Sequence, residues 1–352
     1  MSTQARHGDP VRIGLNGFGR IGRSVTRAAL SHPGIEIVGI NDIMDADDMR
    51  YLLAYDSVHG RLDVELQDET LLVNDSRLPT FTKRSPAELP WEELDVDVAL
   101  ECTGLFRTYE EASAHLEAGA DTTLISAPPK GDRDILQIVY GVNHEQYAGE
   151  HVVSNASCTT NSVAPVVNVL DEAFGIDRGL LTTVHAYTNT QELLDGPSGK
   201  RRRGRAAAEN IVPTTTGAAR ATTEVLPHLA GRLDGMAIRV PIPNGSVSDL
   251  TMSLQSSPSR DAINETLREA AQNELNGVLG YTNEQIVSRD IVGMPHSAVM
   301  DLSATMRLED GFIKVLAWYD NEFGFSQRML DVAEYVTVGH ATPDRTAIAP
   351  AD

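Results

Sequence analysis

The chain has 352 residues, 41% of them hydrophobic, with 29 basic against 50 acidic side chains and a formal net charge of −21. Length alone suggests about two domains, and with no apolar run of about 18 residues and no apolar leader in the polar first ten, we expect a cytoplasmic protein with no membrane partner. So negative a field repels phosphate backbones and argues against nucleic acid as a partner, while two cysteines, Cys102 and Cys158, make neither a disulfide framework nor a Cys-based zinc site, so no metal is expected.

Residues 11–16, VRIGLN, alternate with Val11, Ile13 and Leu15 on one side, the period of a strand. The turn Gly17-Phe18-Gly19 follows, then a helical stretch from about Arg20 to Ser31 with Ile21, Val25, Ala28 and Ala29 on one face. Glu36–Asn41, EIVGIN, reads as the next strand and completes a βαβ unit. Gly17 to Gly22 fits GxGxxG in the strand–turn–helix setting that gives this pattern meaning. Gly17 permits the tight turn, Gly19 the approach of a pyrophosphate, and Gly22 close packing of helix on sheet. The amides at the helix start then bind phosphate oxygens. Asp42, 20 residues past Gly22, is placed to accept from the ribose hydroxyls of NAD and to repel the 2′-phosphate of NADP. NAD is the expected cofactor; the plain alternative is a tight turn followed by a solvated aspartate.

Further strands are expected at VDVALECT (96–103), TLISA (123–127) and HVVSNA (151–156), with a helical pattern at Tyr109–Ala118 between them. The alternation predicts an α/β fold, a doubly wound parallel sheet over 11–157. Cys102 ends an apolar strand and reads as packing. Cys158 stands between the last strand and an amphipathic helix from about Thr159 to Phe174, which turns Val163, Val166, Val167 and Leu170 inward. A thiol at a helix start faces free amides and the positive end of the helix dipole, which lowers its pKa. The same amides can hold an oxyanion. On position alone a buried structural cysteine remains the alternative. His185, 27 residues on in the strand-like LLTTVHAY, is a candidate base and later acid for that thiol.

Beyond Cys158 the segments LLTTVHAY, MAIRVP, SDLTMSL and FIKVLAWY cluster without crossover helices. They predict an α+β second domain with a mostly antiparallel sheet, and Ser326–Val338 reads as a C-terminal helix. Arg203, Arg205, Thr214 to Thr216, and Arg239 with Asn244 form a set of donors suited to phosphate. Within the run KRRRGR (200–205), Arg201 and Arg202 read as solvated. Only four of the 29 basic residues are lysine: Lys83, Lys130, Lys200 and Lys314. This acid-rich, lysine-poor composition resembles that of proteins working in concentrated salt, where screening removes self-repulsion.

The segments GLNGFGRIGR, AYDSVHGR, ECTGLF, SAPPKGD, SNASCTTN, TVHAYTNTQ, RGRAAAENIVPTTTGAA, RVPIPNGSVSDL and WYDNEFGFSQR span nearly the whole chain. On these motifs the sequence resembles the phosphorylating glyceraldehyde-3-phosphate dehydrogenase family. The resemblance implies a homotetramer, with an NAD-binding domain over 1–157, completed by 321–352, and a catalytic domain over 158–320. It implies Cys158 as nucleophile and His185 as base. Around NAD it sets Gly17, Gly19, Arg20, Ile21, Gly22, Asp42, Arg84, Thr103, Ser126 and Asn321. Around inorganic phosphate and the phosphate of glyceraldehyde 3-phosphate it sets Ser157, Thr159, Thr188, Arg203, Thr216, Gly217 and Arg239. Residues Tyr187 to about Asn210 would form an S-shaped loop against the neighbouring subunit's cofactor. Two positions depart from the family pattern: Thr190, where some members carry Asp, and Phe325, where tyrosine is common. Alternative readings are an erythrose-4-phosphate dehydrogenase, or a catalytically idle NAD-binding or nucleic-acid-binding protein.

Overall fold

The computed structural model describes residues 9–339; the last part of the expected C-terminal segment, 340–352, lies outside the described residues. Val11–Asn16 forms the strand expected of its alternation, and its neighbours are Ile35–Asn41 on one side and Val98–Glu101 on the other, both parallel. Thr122–Ile125, Val152–Ser154 and Leu136–Gln137 continue the parallel set outward from Val98–Glu101, and Ser76–Phe81 joins Ile35–Asn41 on the far side. An antiparallel hairpin, Glu65–Gln67 with Thr70–Val73, finishes a nine-stranded sheet. The chain leaves Val11–Asn16 towards one flank and later returns to the other, so a crevice opens at the carboxyl ends of the central strands.

The first helix, Arg20–Ala29, begins directly at the glycine turn. The helical pattern expected over Tyr109–Ala118 is broken into Tyr109–Ala112 and Ala114–Glu117. Ser113 stands at the break, and its hydroxyl donates to the Tyr109 carbonyl at 2.6 Å, the local competition that makes serine a weak helix interior residue. Strand expectations ran long at both ends: VDVALECT contributes Val98–Glu101 and HVVSNA contributes Val152–Ser154.

The second sheet has the order Val212–Thr215, Leu233–Val240, Ile176–Ala186, Ser246–Leu254, Phe312–Tyr319, Ala298–Asp301, Leu279–Thr282, with Met306–Arg307 beside Phe312–Tyr319. It is mostly antiparallel; Ile176–Ala186 with Leu233–Val240, and Leu279–Thr282 with Ala298–Asp301, are parallel. The helix Cys158–Phe174 lies between the two sheets in sequence, with Val163, Val166, Val167 and Leu170 all buried as their spacing required. The last helix, Phe323–Val338, starts earlier than the periodicity suggested, because Asp320 Oδ1 accepts from the amides of both Glu322 and Phe323 at 2.8 Å. It packs on the first helix and on Val11–Asn16, so the end of the chain supports the glycine turn. No helix among the described residues is long and apolar enough to cross a membrane.

Candidate active site

The segment Ser154 to Asn161 is shaped by a strained turn. Ala156 is buried and held at φ 54°, in the left-handed region, a conformation that costs a non-glycine residue about 1 kcal/mol or more. The Ser154 hydroxyl anchors it by accepting from the Ala156 amide at 3.0 Å and donating to the Ala127 carbonyl at 2.8 Å. Ser157 then caps the helix, its hydroxyl accepting from the Thr160 amide at 3.0 Å. Cys158 is therefore the first helical residue.

Cys158 Sγ lies 3.5 Å from His185 Nε2. His185 is delivered by Ile176–Ala186, in register with Arg239 on the parallel neighbour Leu233–Val240. Its Nδ1 lies 2.7 Å from the Ala186 carbonyl and 2.7 Å from Arg239 Nη1. Burial and the Arg239 charge together drive the His185 pKa down to about 3. Burial also pushes the Cys158 thiol up, against the opposing pull of Arg239 and of the amides at the helix start. The expected depression of this thiol by the helix dipole is thus corrected: desolvation of a sulfur set among apolar neighbours outweighs it. Cys102 is pushed up to about 12 by burial and the neighbouring Glu101 carboxylate, in keeping with a packing role.

Arg203 and several threonine hydroxyls form a further set of anion-suited donors, tied to this pair through the Arg203 charge on His185. Thr188 and Thr190 hydroxyls are 2.9 Å apart, and Arg203 reaches Thr190 Oγ1 at 3.3 Å and Thr214 Oγ1 at 3.0 Å. Thr190 therefore occupies the space beside Thr188 and Arg203 with a neutral hydroxyl. The charges of Arg203 and Arg239 both act on His185, and that of Arg203 also on Arg239, so two guanidiniums share one electrostatic neighbourhood. Thr216 and Gly217 stand before the helix Ala218–Val225, which packs against the Cys158 helix. Two further candidates are paired with carboxylates. Arg205 pairs with Asp195 at 3.0 Å on the surface, and Asn244 Nδ2 is engaged by Asp320 Oδ1 at 2.8 Å. Arg201 and Arg202 lie in a 3-10 turn and are both exposed.

One member of the site was missed in the sequence. Tyr319, nearly fully buried, sets its hydroxyl between Thr159 Oγ1 at 3.0 Å and Thr183 Oγ1 at 2.8 Å, with its ring edge-on to His185. It lies in the same WYDNE segment as Asn321, but an aromatic at the end of a strand reads as core unless its hydroxyl is seen to be bridged.

The glycine turn meets the segment after Asn321 through the pairing of Arg20 with Glu322. Gly17 has φ 97°, and a Cβ there would sit 2.6 Å from the Thr103 amide nitrogen; a Cβ on Gly22 would meet the Gly17 carbonyl at 2.0 Å. A Cβ on Gly19 would point into open space, which leaves a cradle at the helix start of the kind a pyrophosphate needs. Asp42 lies against this turn, Oδ2 accepting from the Phe18 amide at 2.6 Å. Thr103 and Ser126 follow the ends of adjacent parallel strands, and Arg84 is exposed beyond Ser76–Phe81. Ile21 is half-buried in the first turn of the helix. The Arg20 side chain turns back to Glu322 at 2.5 and 2.8 Å and to Asp56 at 2.5 Å, so its main chain alone is left to face a ligand. Asn321 Oδ1 accepts from Ser246 at 2.8 Å. These features fit a dinucleotide. Among the described residues no cluster of His, Cys, Asp and Glu is arranged to hold a metal ion. Phe325 is buried in the core.

A glycine-turn dinucleotide fold joined to a second, mostly antiparallel sheet defines the class of NAD-dependent oxidoreductases. Comparison with known proteins narrows it. Residues 11–109 match the glyceraldehyde 3-phosphate dehydrogenase NAD binding domain, and residues 157–321 match the C-terminal domain of the same family. Curated relatives named glyceraldehyde-3-phosphate dehydrogenase include one from Haloarcula vallismortis, 58% identical over 332 residues, 94% of this chain and 99% of that one. Another, from Geobacillus stearothermophilus, is 50% identical over 93% of this chain and 98% of its own. Glyceraldehyde-3-phosphate dehydrogenase A of Escherichia coli K12 is 48% identical over 93% and 99%. The chain belongs to the glyceraldehyde-3-phosphate dehydrogenase family and uses NAD.

Proposed function

We propose that this protein oxidises glyceraldehyde 3-phosphate with NAD and inorganic phosphate to 1,3-bisphosphoglycerate, through a covalent intermediate on Cys158. The observation that carries the reading is the 3.5 Å approach of Cys158 Sγ to His185 Nε2 at a helix start flanked by Arg239. Sγ adds to the aldehyde carbon as His185 Nε2 takes the thiol proton, and the helix-start amides receive the developing oxyanion. His185 returns that proton to the oxyanion, giving a neutral thiohemiacetal, and then removes the same hydroxyl proton as base; NAD would supply the hydride acceptor. The thioester left on Cys158 retains the oxidation energy. Phosphate, oriented by Arg239 with Ser157, Thr159, Thr216 and Gly217, attacks that carbonyl and expels the thiolate as an acyl phosphate forms. Thr188, Arg203 and Arg239 hold the substrate's own phosphate.

The same reading sets an NAD-binding domain at 1–157, completed by 321–352, and a catalytic domain at 158–320. A homotetramer is supported by the exposure of Leu193, Leu194 and Ile211 in and beside the 187–210 loop, at 75%, 77% and 69%. Three such side chains in one loop are an expensive surface unless a partner covers them. We place the protein in a salt-rich cytoplasm on its charge balance. Initial rates with glyceraldehyde 3-phosphate test the reaction: NADH formation should require inorganic phosphate and prefer NAD over NADP. Turnover independent of phosphate would overturn it.

A further inference from the structure

We infer that Glu101 is a positioning residue for the cofactor: with Asn16, Asn41 and His115 it forms a buried network that fixes the relative placement of the loops receiving NAD. Asn16, Asn41 and Glu101 stand in one row, in register at the carboxyl ends of three adjacent parallel strands. Glu101 is 1% exposed. Its Oε2 accepts from Asn16 Nδ2 at 2.6 Å and from His115 Nε2 at 3.2 Å, and its Oε1 accepts from the Thr103 amide at 2.8 Å and from the Thr103 hydroxyl. Trp91 Nε1 donates to His115 Nδ1 at 3.0 Å, which leaves His115 Nε2 as the donor towards Glu101. On the other side, Asn41 Nδ2 donates to Asn16 Oδ1 at 2.7 Å and to the Lys83 carbonyl at 3.0 Å, and the Lys83 amide returns a bond to Asn41 Oδ1 at 2.8 Å. The chain of hydrogen bonds runs unbroken from the Trp91 indole to the Lys83 backbone.

Four members of this network are cofactor contacts of the proposed function or adjoin one in the chain. Asn16 precedes Gly17, Asn41 precedes Asp42, Lys83 precedes Arg84, and Thr103 is itself a contact. The tolerance is small, because the Gly17 turn and the Thr103 amide lie so close that even a Cβ on Gly17 would fall 2.6 Å from that nitrogen. Apolar packing slides at little cost, whereas a buried carboxylate is stable only while its donors stay in place. A carboxylate shared by several loops therefore resists the relative shifts that loosen a ligand site.

The inference rests on the reading that NAD lies across the Gly17–Gly22 turn, and the test separates the two. Glu101→Gln keeps the size but turns one acceptor oxygen into an NH₂ group facing donors. It should raise the Kd and KM for NAD about ten-fold, or about 1.4 kcal/mol, with the loss falling on NAD affinity and not on kcat at saturating NAD. His115 reaches the cofactor loops through Glu101, so His115→Leu should weaken NAD binding several-fold in the same pattern. It also decides the matter if Glu101→Gln does not fold. Asp42→Ala monitors the underlying reading: an unchanged NAD Kd in that variant removes the cofactor from this face. Weakened binding in Asp42→Ala, with parental NAD affinity in folded Glu101→Gln and His115→Leu, overturns the positioning role alone.

Discussion

Arg239 Nη1 lies 2.7 Å from His185 Nδ1, and both nitrogens reach the carbonyl of Ala186, at 2.8 and 2.7 Å. A cation against an imidazole keeps the ring neutral, and a neutral ring is what a base needs. For Nε2 to take the thiol proton, Nδ1 must carry the ring hydrogen and give it to Ala186. Arg239→Gln should therefore raise the pKa of His185 from its value of about 3. It should raise that of Cys158 too, since the same charge pulls the thiol down. Alkylation of Cys158 as a function of pH should move to higher pH in the variant. Arg239→Lys keeps the charge but loses the fork, so the KM for phosphate should rise about ten-fold with a smaller change in the pH profile. A phosphate dependence unchanged in both variants would remove Arg239 from the site.

Cys158→Ser should lower turnover by on the order of 10³-fold or more while leaving NAD binding intact, because the glycine turn and Asp42 are on the other sheet. In the native enzyme iodoacetamide should label Cys158 well before Cys102, whose thiol is pushed up to about 12 by burial. Peptide mapping after brief labelling reads the order directly, and preferential labelling of Cys102 would contradict it.

Asp42 presents its carboxylate to the Phe18 amide at the glycine turn. In the proposed cofactor pose, Asp42→Ala removes the ribose acceptor and the charge facing a 2′-phosphate, so the preference for NAD over NADP should fall by about ten-fold or more. Steady-state kinetics with the two dinucleotides measure it. A parent protein that already prefers NADP would refute this assignment.

Arg20, at the start of the first helix, pairs with Asp56 and with Glu322 at the start of the last helix. Burial raises the Asp56 carboxyl, but the amides of His59 and Val58 and the Arg20 guanidinium outweigh it and bring the group to about 2 from an ordinary 3.8. A carboxyl depressed on folding contributes stability above its unfolded value, and that contribution is lost as pH falls towards the folded one. Asp56→Asn should thus be less stable than the parent at neutral pH, with the gap closing between about pH 4 and about pH 2. Urea midpoints across that range are the measurement; a gap independent of pH would show that packing alone is at stake.

Fifty acidic against 29 basic residues, four of them lysine, predict an assembly that needs salt. In the proposed homotetramer, like charges on apposed subunits repel over about 30 Å near 0.01 M salt and about 3 Å at 1 M. Dilution into low salt should dissociate or inactivate the enzyme, molar potassium chloride should preserve it, and NAD should partly protect by binding the native state. Sedimentation velocity with parallel activity assays tests this. A tetramer equally active and heat-stable at both extremes would mean that the acidic surface is no adaptation to salt.

The glycine turn, the Cys158 helix and both sheets were legible because each is encoded locally. Val11, Ile13 and Leu15 alternate, Gly17 must take a positive φ, and Val163, Val166, Val167 and Leu170 repeat at the helical period. The motif series carried the family as well. What the linear chain could not fix were distances between residues far apart in sequence. His185 meets Arg239 through the parallel pairing of two strands, and Tyr319 reaches Thr159 across 160 positions. The Cys158 thiol illustrates the limit most directly. Its place at a helix start is local and argued for a lowered pKa; the desolvation that outweighs it comes from neighbours assembled by the tertiary fold. Arg205 and Asn244 looked like phosphate donors by residue type, yet Asp195 and Asp320 take them up. Residue chemistry states which bonds a side chain can make, and the packing of the whole chain decides which partner arrives first.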